Sequence, residues 1–275
     1  EARRTSTLDF GSGALEQGSD ARTTTRLGGS AGATWTAWQR GEDRLNVFAG
    51  IRSTFKPAAI DFGLDGGAQI LRPETAISYD LGVKADLLGR RLALEVSTFL
   101  MDFENLVVPQ SVGGSPGLTN AGTERFQGVE ASAAWRVTSD LAARLAYSYH
   151  DARFRDYAKD FGDGTLTQLA GKRLEMSPYH LGGLGLTYAP ARGLTASAEM
   201  SYVGAVFLNQ RNTAPAGGYA TWAASLGWRG AVWEVRLDGR NLTDRRKPVA
   251  ESELGDAQYY LLPGRQFALS ARCRF

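Results

Sequence analysis

Apolar and polar side chains alternate with a period of two through most of this 275-residue chain. From Ile77 the odd positions read Ile77, Tyr79, Leu81, Val83, Ala85 and Leu87, and the even ones Ser78, Asp80, Gly82, Lys84 and Asp86. Successive side chains point to opposite sides only in an extended strand, so this is a strand with one apolar and one polar face. The same split recurs in Val129, Ala131, Ala133, Trp135 and Val137, in Leu194 to Tyr202, in Trp222 to Trp228 and in Trp233, Val235 and Leu237. About eleven such runs lie near 24–39, 44–55, 73–88, 91–107, 124–138, 141–154, 173–189, 194–208, 218–229, 232–243 and 258–275. One run breaks phase. After Leu92, Leu94 and Val96 the apolar positions become Phe99, Met101 and Phe103, which predicts a bulge or an exit from the apolar zone. Apolar residues at i, i+3 and i+4 are never sustained, so no helix is predicted.

Composition narrows the class. With 43% hydrophobic and 22% charged residues the chain is too apolar for disorder, and a net charge of +2 demands no nucleic-acid partner. The single cysteine, Cys273, excludes an internal disulfide and a cysteine-based zinc site; His150 and His180 leave little for a histidine metal centre. No cofactor is expected. No stretch approaches the ~18 apolar residues of a membrane helix. A Gly- and aromatic-rich globular chain or a β-barrel remains.

The connections separate these two. Short ones near 40–44, 89–90, 138–140, 190–193 and 229–231 alternate with long ones near 56–72, 108–123, 155–172, 209–217 and 244–257. An up-and-down sheet puts alternate connections at opposite ends, and transmembrane barrels have short periplasmic turns and long extracellular loops. Trp35, Trp38, Trp135, Trp228 and Trp233 fall near short turns, as an interfacial belt requires; Trp222 does not. Tyr147, Tyr149, Tyr202, Phe207, Tyr259 and Tyr260 belong nearer the opposite interface. The expected fold class is therefore all-β, a transmembrane antiparallel up-and-down β-barrel with about 11–12 strands in this chain. Bacterial barrels have even strand numbers and no free edges in lipid, and no signal peptide stands at Glu1. The chain is expected to be a C-terminal part of a larger barrel, with residues 1–22 as a marginal source of a twelfth strand.

Five stretches resemble TonB-dependent outer-membrane receptors of the siderophore-receptor type. Leu71-Arg72-Pro73-Glu74-Thr75 followed by Tyr79-Asp80-Leu81-Gly82-Val83-Lys84 is similar to the family's L-x-P-E-T stretch with its Y-E-x-G-x-K. Asn120, Gly122, Gly128 and Glu130 match its N-x-G-x-x-x-x-x-G-x-E. Asn241-Leu242-Thr243-Asp244 resembles N-L-F-D, with Thr in place of Phe, and Pro263-Gly264-Arg265 with the final Phe275 resembles the family's close. Phe55-Lys56-Pro57 resembles G-F-K-P-P, with Thr54 for the Gly and Ala58 for the second Pro. The resemblance implies residues 1–275 as the C-terminal half of a 22-strand barrel, whose plug domain and TonB box lie outside this chain. It implies import of a scarce nutrient, a ferric siderophore first, then haem, cobalamin or saccharide. The partners it implies are the TonB energising complex and outer-membrane lipid.

Anionic, aromatic-bearing siderophores suit Arg and Tyr. The candidate cargo contacts lie where strands meet long loops: His150, Arg153, Arg155, Tyr157, Arg173 and Arg211. Plain solvation of a wet lumen is the competing reading of each. Two other functions stay open: a passive porin or autotransporter-type 12-strand barrel, and an outer-membrane barrel hydrolase. The hydrolase lacks a G-x-S-x-G element, and its only adjacent His–carboxylate pair, His150–Asp151, points to opposite faces. No catalytic residue is expected.

Overall fold

The computed structural model describes residues 2–4, 7–8, 12, 15–16, 20–22, 25–57, 60–61, 69–112, 115–161, 164–251 and 259–273. Phe275 lies outside them. The eleven alternating runs form one antiparallel sheet: β1 (Gly29–Arg40), β2 (Asp43–Lys56), β3 (Glu74–Leu87), β4 (Leu92–Glu104), β5 (Thr123–Arg136), β6 (Leu141–Asp156), β7 (His180–Tyr188), β8 (Gly193–Val203), β9 (Tyr219–Arg229), β10 (Trp233–Arg240) and β11 (Gln266–Cys273). Each strand pairs with its neighbours in the chain, so spatial order is sequence order. No helix occurs among the described residues. Residues 173–179 and 259–265, expected to open the strands that follow, belong instead to the loops before them, and residue 258 lies outside the described residues.

Direct pairing puts opposed residues on one face, and the pairs decide the two faces. Ala49, Leu81, Thr98, Val129, Tyr149 and His180 form one row of the apolar face. That face stays open to its surroundings: Trp35 is 67% exposed, Trp228 61% and Leu269 74%. A continuous apolar face of this size needs lipid against it. The opposite face carries the ion pairs Arg44–Asp86 (2.7 Å), Lys84–Glu95 (3.1 Å) and Arg229–Glu234 (3.1 Å). It is concave, since one groove of about 640 Å³ is lined by Asn46 of β2, Lys84 of β3, Glu95 of β4, Arg144 of β6 and Glu199 of β8.

The phase break in β4 is not a bulge. Pairing of β4 with β3 and with β5 runs unbroken from Leu92 to Glu104. Phe99, Met101 and Phe103 point to the inner face, opposite Asp80, Ser78 and Ala76, while Thr98 and Asp102 take the outer one. The bulges fall elsewhere. In β1 the extra residue is Ala37, which brings both Trp35 and Trp38 onto the outer face opposite Val47 and Leu45. In β6 it is Arg155, between the pairs Glu124–Phe154 and Thr123–Asp156.

Five short turns lie at one end and five loops at the other. Every loop carries a two-stranded ribbon of its own, as in Val107–Val112 with Ser115–Asn120 and Ala158–Asp160 with Leu166–Gln168. Ala2–Arg4 pairs with Asp20–Arg22 in a further separate ribbon, so these residues add no twelfth strand to the sheet. The buried apolar cluster sits at the loop end: Val108, Ala121, Phe154, Tyr157 and Leu169, flanked by Leu106, Phe161 and Leu174.

Candidate ligand-binding end of the wall

The family-like motifs are hydrogen-bond staples at strand-to-loop junctions. Asn120 accepts from the Arg72 amide (2.7 Å) and donates to the carbonyls of Arg72 (3.0 Å) and Asn105 (2.8 Å), tying two loops together. The Pro73 carbonyl accepts from the Asn105 side chain at 3.2 Å. Glu74 is buried between the Val107 amide (2.8 Å) and the Lys56 ammonium (2.6 Å). At Gly122 any Cβ would run into the Asp156 carbonyl, so only glycine permits that approach.

A second knot closes the loop between β10 and β11. Asn241, at φ 46°, accepts from the Arg245 amide (2.9 Å) and donates to the Arg245 (2.9 Å) and Pro263 (2.8 Å) carbonyls. Leu242 anchors it through its amide on the Trp222 carbonyl (2.8 Å). The Asp244 carboxylate accepts from the Arg265 amide at 2.8 Å. That bond, with the Arg246 charge beside it, holds the Asp244 carboxyl below the usual range. The Arg246 guanidinium occupies the space over Gly264.

The six candidate contacts fall into different places. His150 faces inward, with Nε2 3.5 Å from Glu130 and its ring edge-on to Phe99 at 5.2 Å. Asp151 points outward and binds Arg153 (2.8 Å), so the adjacent pair does not act together. Arg153 lies on the outer face and also donates to the Gly171 carbonyl (2.9 Å) and the Tyr179 hydroxyl (2.8 Å). Arg155 is exposed at the bulge. Tyr157 is buried in the loop cluster, and burial pushes its phenol up to about 12. Arg173 is 3% exposed, stacks on Tyr179 at 3.1 Å and donates to the Ser177 carbonyl at 2.7 Å. Burial pulls its guanidinium pKa down, against the opposing pull of Tyr179 and Asp151. Arg211 lies over the Phe161 ring at 4.0 Å.

Sequence reasoning missed the residues that join these loops. Asn212 reads both backbone groups of Arg173, accepting from its amide (2.7 Å) and donating to its carbonyl (2.9 Å). Gln210 donates to Glu175 (2.8 Å) and accepts from Lys159 (3.0 Å). Three consecutive residues, Gln210, Arg211 and Asn212, therefore grip the preceding loop. The only signal was an amide-rich run in a long connection, and amides are ordinary there. Glu124 was missed as well: it is 1% exposed, and neither carboxylate oxygen has a hydrogen-bond partner among the described residues. The described residues hold no cluster of three metal-ligating side chains.

Comparison with known proteins agrees with this architecture. Residues 3–242 match the family model described as TonB dependent receptor-like, beta-barrel. The metal-pseudopaline receptor CntO of Pseudomonas aeruginosa is 30% identical over 165 residues, 58% of this chain and 22% of the relative. The ferrioxamine receptor of Yersinia enterocolitica is 26% identical over 200 residues, 68% of this chain and 26% of the relative. The structure of the ferric yersiniabactin uptake receptor FyuA from Yersinia pestis superposes with a TM-score of 0.78 at 21% identity, covering 97% of this chain and 40% of that one. The copper transporter OprC superposes at 0.69 with 14% identity, covering 99% and 43%. The chain thus spans about a quarter of the length of the curated relatives it matches. These relatives are receptors and transporters, not enzymes, which removes the hydrolase reading. The family match covers most of the residues and fits strands, loops and staples alike: this chain belongs to the TonB-dependent receptor β-barrel family, whose members are outer-membrane proteins.

Proposed function

We propose that residues 1–275 are the C-terminal portion of the barrel wall of a receptor that imports a ferric siderophore across the outer membrane, energised through TonB. The plug domain and TonB box belong to the rest of that receptor. The observation that carries this reading is the knitted loop end, where Gln210, Arg211 and Asn212 fasten one loop onto the next. Fixed loops on a rigid wall suit recognition. His150, Arg155 and Arg211 are the cargo contacts in this reading, offering cations and an imidazole at the loop end. Arg153, Tyr157 and Arg173 act behind them, since their polar groups are engaged or buried. A passive porin is the second reading, favoured only by the charged residues along the inner groove, such as Lys84, Glu95 and Arg144.

Uptake of a radiolabelled ferric siderophore by cells carrying the full-length receptor tests the proposal. Uptake should stop when the proton-motive force is collapsed, and loss of the gene should impair growth under iron limitation. Uptake that persists after collapse would establish the porin.

A further inference from the structure

Among the described residues Glu124 is the most deeply buried ionisable side chain, and its surroundings offer a carboxylate nothing. Phe103 of β4 and Phe154 of β6 stand directly opposite it, and Phe126 follows two residues along on the same face of β5. Both of its carboxylate oxygens are buried without a hydrogen-bond partner among the described residues. Tyr157, whose ring lies 5.2 Å from that of Phe154, buries a second unpartnered polar group, its hydroxyl. Glu124 thus stands beside the apolar cluster that closes the loop end, Val108, Ala121, Phe154, Tyr157 and Leu169. An ionised carboxylate in such an enclosure is far costlier than the neutral acid.

The charged groups around Glu124 do not relieve it. From β3 it faces Glu74, a second carboxylate, which is itself engaged by Lys56 of β2 (2.6 Å) and by the Val107 amide. At this level β4 and β6 present only phenylalanines inward; Asp102, Glu104 and Asp156 lie on the outer face with Arg125. Beyond Tyr157 lies Glu175, with one oxygen on Gln210 and the other unpartnered among the described residues. His150 stands two rows further down the inner face, against Glu130. Burial first, and then the Glu74 charge, push the Glu124 carboxyl up to about 7.

From this arrangement we infer that Glu124 is a proton-operated latch on the loop end of the wall. With its proton it packs as a neutral side chain among the phenylalanines; without it the cluster opens more often. The ionised carboxylate is solvated only when water reaches it, and water reaches it only when the loops that cover it part. Two bonds hold them together, from the Ala121 amide to the Leu106 carbonyl (2.7 Å) and from the Leu169 amide to the Tyr157 carbonyl (2.8 Å). In the open cluster the carboxyl titrates near its ordinary 4.5 and in the closed one near 7, so between these values the closed form binds more protons. Its advantage is complete below about 4.5 and is lost as the pH rises through 7. The closed form stays the major one, and pH sets only how often it opens. Long loops of outer-membrane barrels face the exterior, so the acidity sensed is that of the medium. The latch belongs to the wall and is independent of which cargo the receptor takes.

The test is amide hydrogen exchange of the full-length receptor in neutral detergent between about pH 4.5 and 8, read as protection factors so that the intrinsic pH dependence of exchange drops out. Opening at the Ala121 and Leu169 amides should rise by about tenfold per pH unit between about 4.5 and 7 and level off above. The Gly230 amide, bonded to the Trp233 carbonyl (2.7 Å) in a turn at the opposite end, should keep its protection throughout. Glu124→Gln keeps the shape and cannot ionise, so its protection at Ala121 and Leu169 should not vary with pH over this range. Glu124→Met should behave alike; it replaces an unpartnered polar group by an apolar one of similar shape, so it keeps the test open where the Gln variant fails to fold. Heat-modifiable gel migration confirms that each variant is folded. Protection at Ala121 and Leu169 that does not vary with pH in the wild type overturns the inference. So does a wild-type slope that persists in either folded variant, which would assign it to another group. Loss of protection at Gly230 by the same factor would show general loosening of the wall and also overturn it.

Discussion

The ring of Phe99 fills the space that a side chain at Gly128 would need. A Cβ there would stand 2.9 Å from two carbons of the ring and would also press on the Tyr149 carbonyl. The two residues pair directly across β4 and β5, and the absence of a side chain at Gly128 lets the ring reach His150. Gly128→Ala should therefore destabilise the wall by about 1–3 kcal/mol, as overpacking does. Thermal unfolding in detergent, followed by the β-sheet circular dichroism signal, measures it. Adding Phe99→Ala should recover part of the loss, since neighbouring sites couple. Strict additivity of the two substitutions would count against the contact.

Asn212 should hold two loops in register. It sits at φ 59°, a conformation glycine tolerates, so Asn212→Gly removes the side chain without straining the backbone. Loss of the paired bonds to Arg173 should cost about 1–3 kcal/mol of local stability. Amide hydrogen exchange at Arg173 and Met176 should accelerate accordingly. Unchanged exchange would mean that Gln210 and Arg211 suffice.

The buried Tyr157 phenol should make the loop end sensitive to alkali. Its pKa in the fold is raised to about 12, above the ~10 of an unfolded tyrosine. The stabilisation from keeping it neutral is complete below pH 10 and is lost as pH rises through 12. Tyr157→Phe should keep the packing and flatten this dependence. The difference between the two proteins in tyrosinate absorbance should titrate near 12; a difference titrating near 10 would refute the burial.

Asp244 predicts the opposite limb. Its carboxyl is held low by the Arg265 amide, so its stabilisation is complete above the unfolded value of ~3.9 and is lost as pH falls through the folded one. Pepsin cleavage within 241–265 should rise as the pH drops below about 4. Asp244→Asn should be cleaved readily at every pH in the acid range. Equal resistance in both would argue that Asn241 alone ties the knot.

The wall was legible because lipid on one side and water on the other impose a strict period of two. Each of the eleven strands of the sheet announced itself that way, whereas the short ribbon strands within the loops did not. The β4 phase change was visible as a bulge or an exit from the apolar zone, and unbroken pairing excludes the bulge. Alternation records which positions are apolar and not which face they occupy, and only pairing with Asp80 and Gly128 places Phe99 on the inner face. The motif residues were visible too, but their work as loop staples was not. Asn120 and Asn241 bond backbone groups that are distant in sequence, and backbone groups carry no residue identity. The clamp at Asn212 was hidden for the same reason.

Chain-order pairing has a kinetic meaning. Every ladder of the sheet joins segments that follow one another directly, so none waits for a distant partner to arrive. Contacts of short sequence separation form with the smallest loss of chain freedom and favour rapid folding. The wall can be laid down hairpin by hairpin, each short turn presenting the next strand to the margin just completed. A defect in one turn would then stall everything added after it, while the part already assembled stays intact.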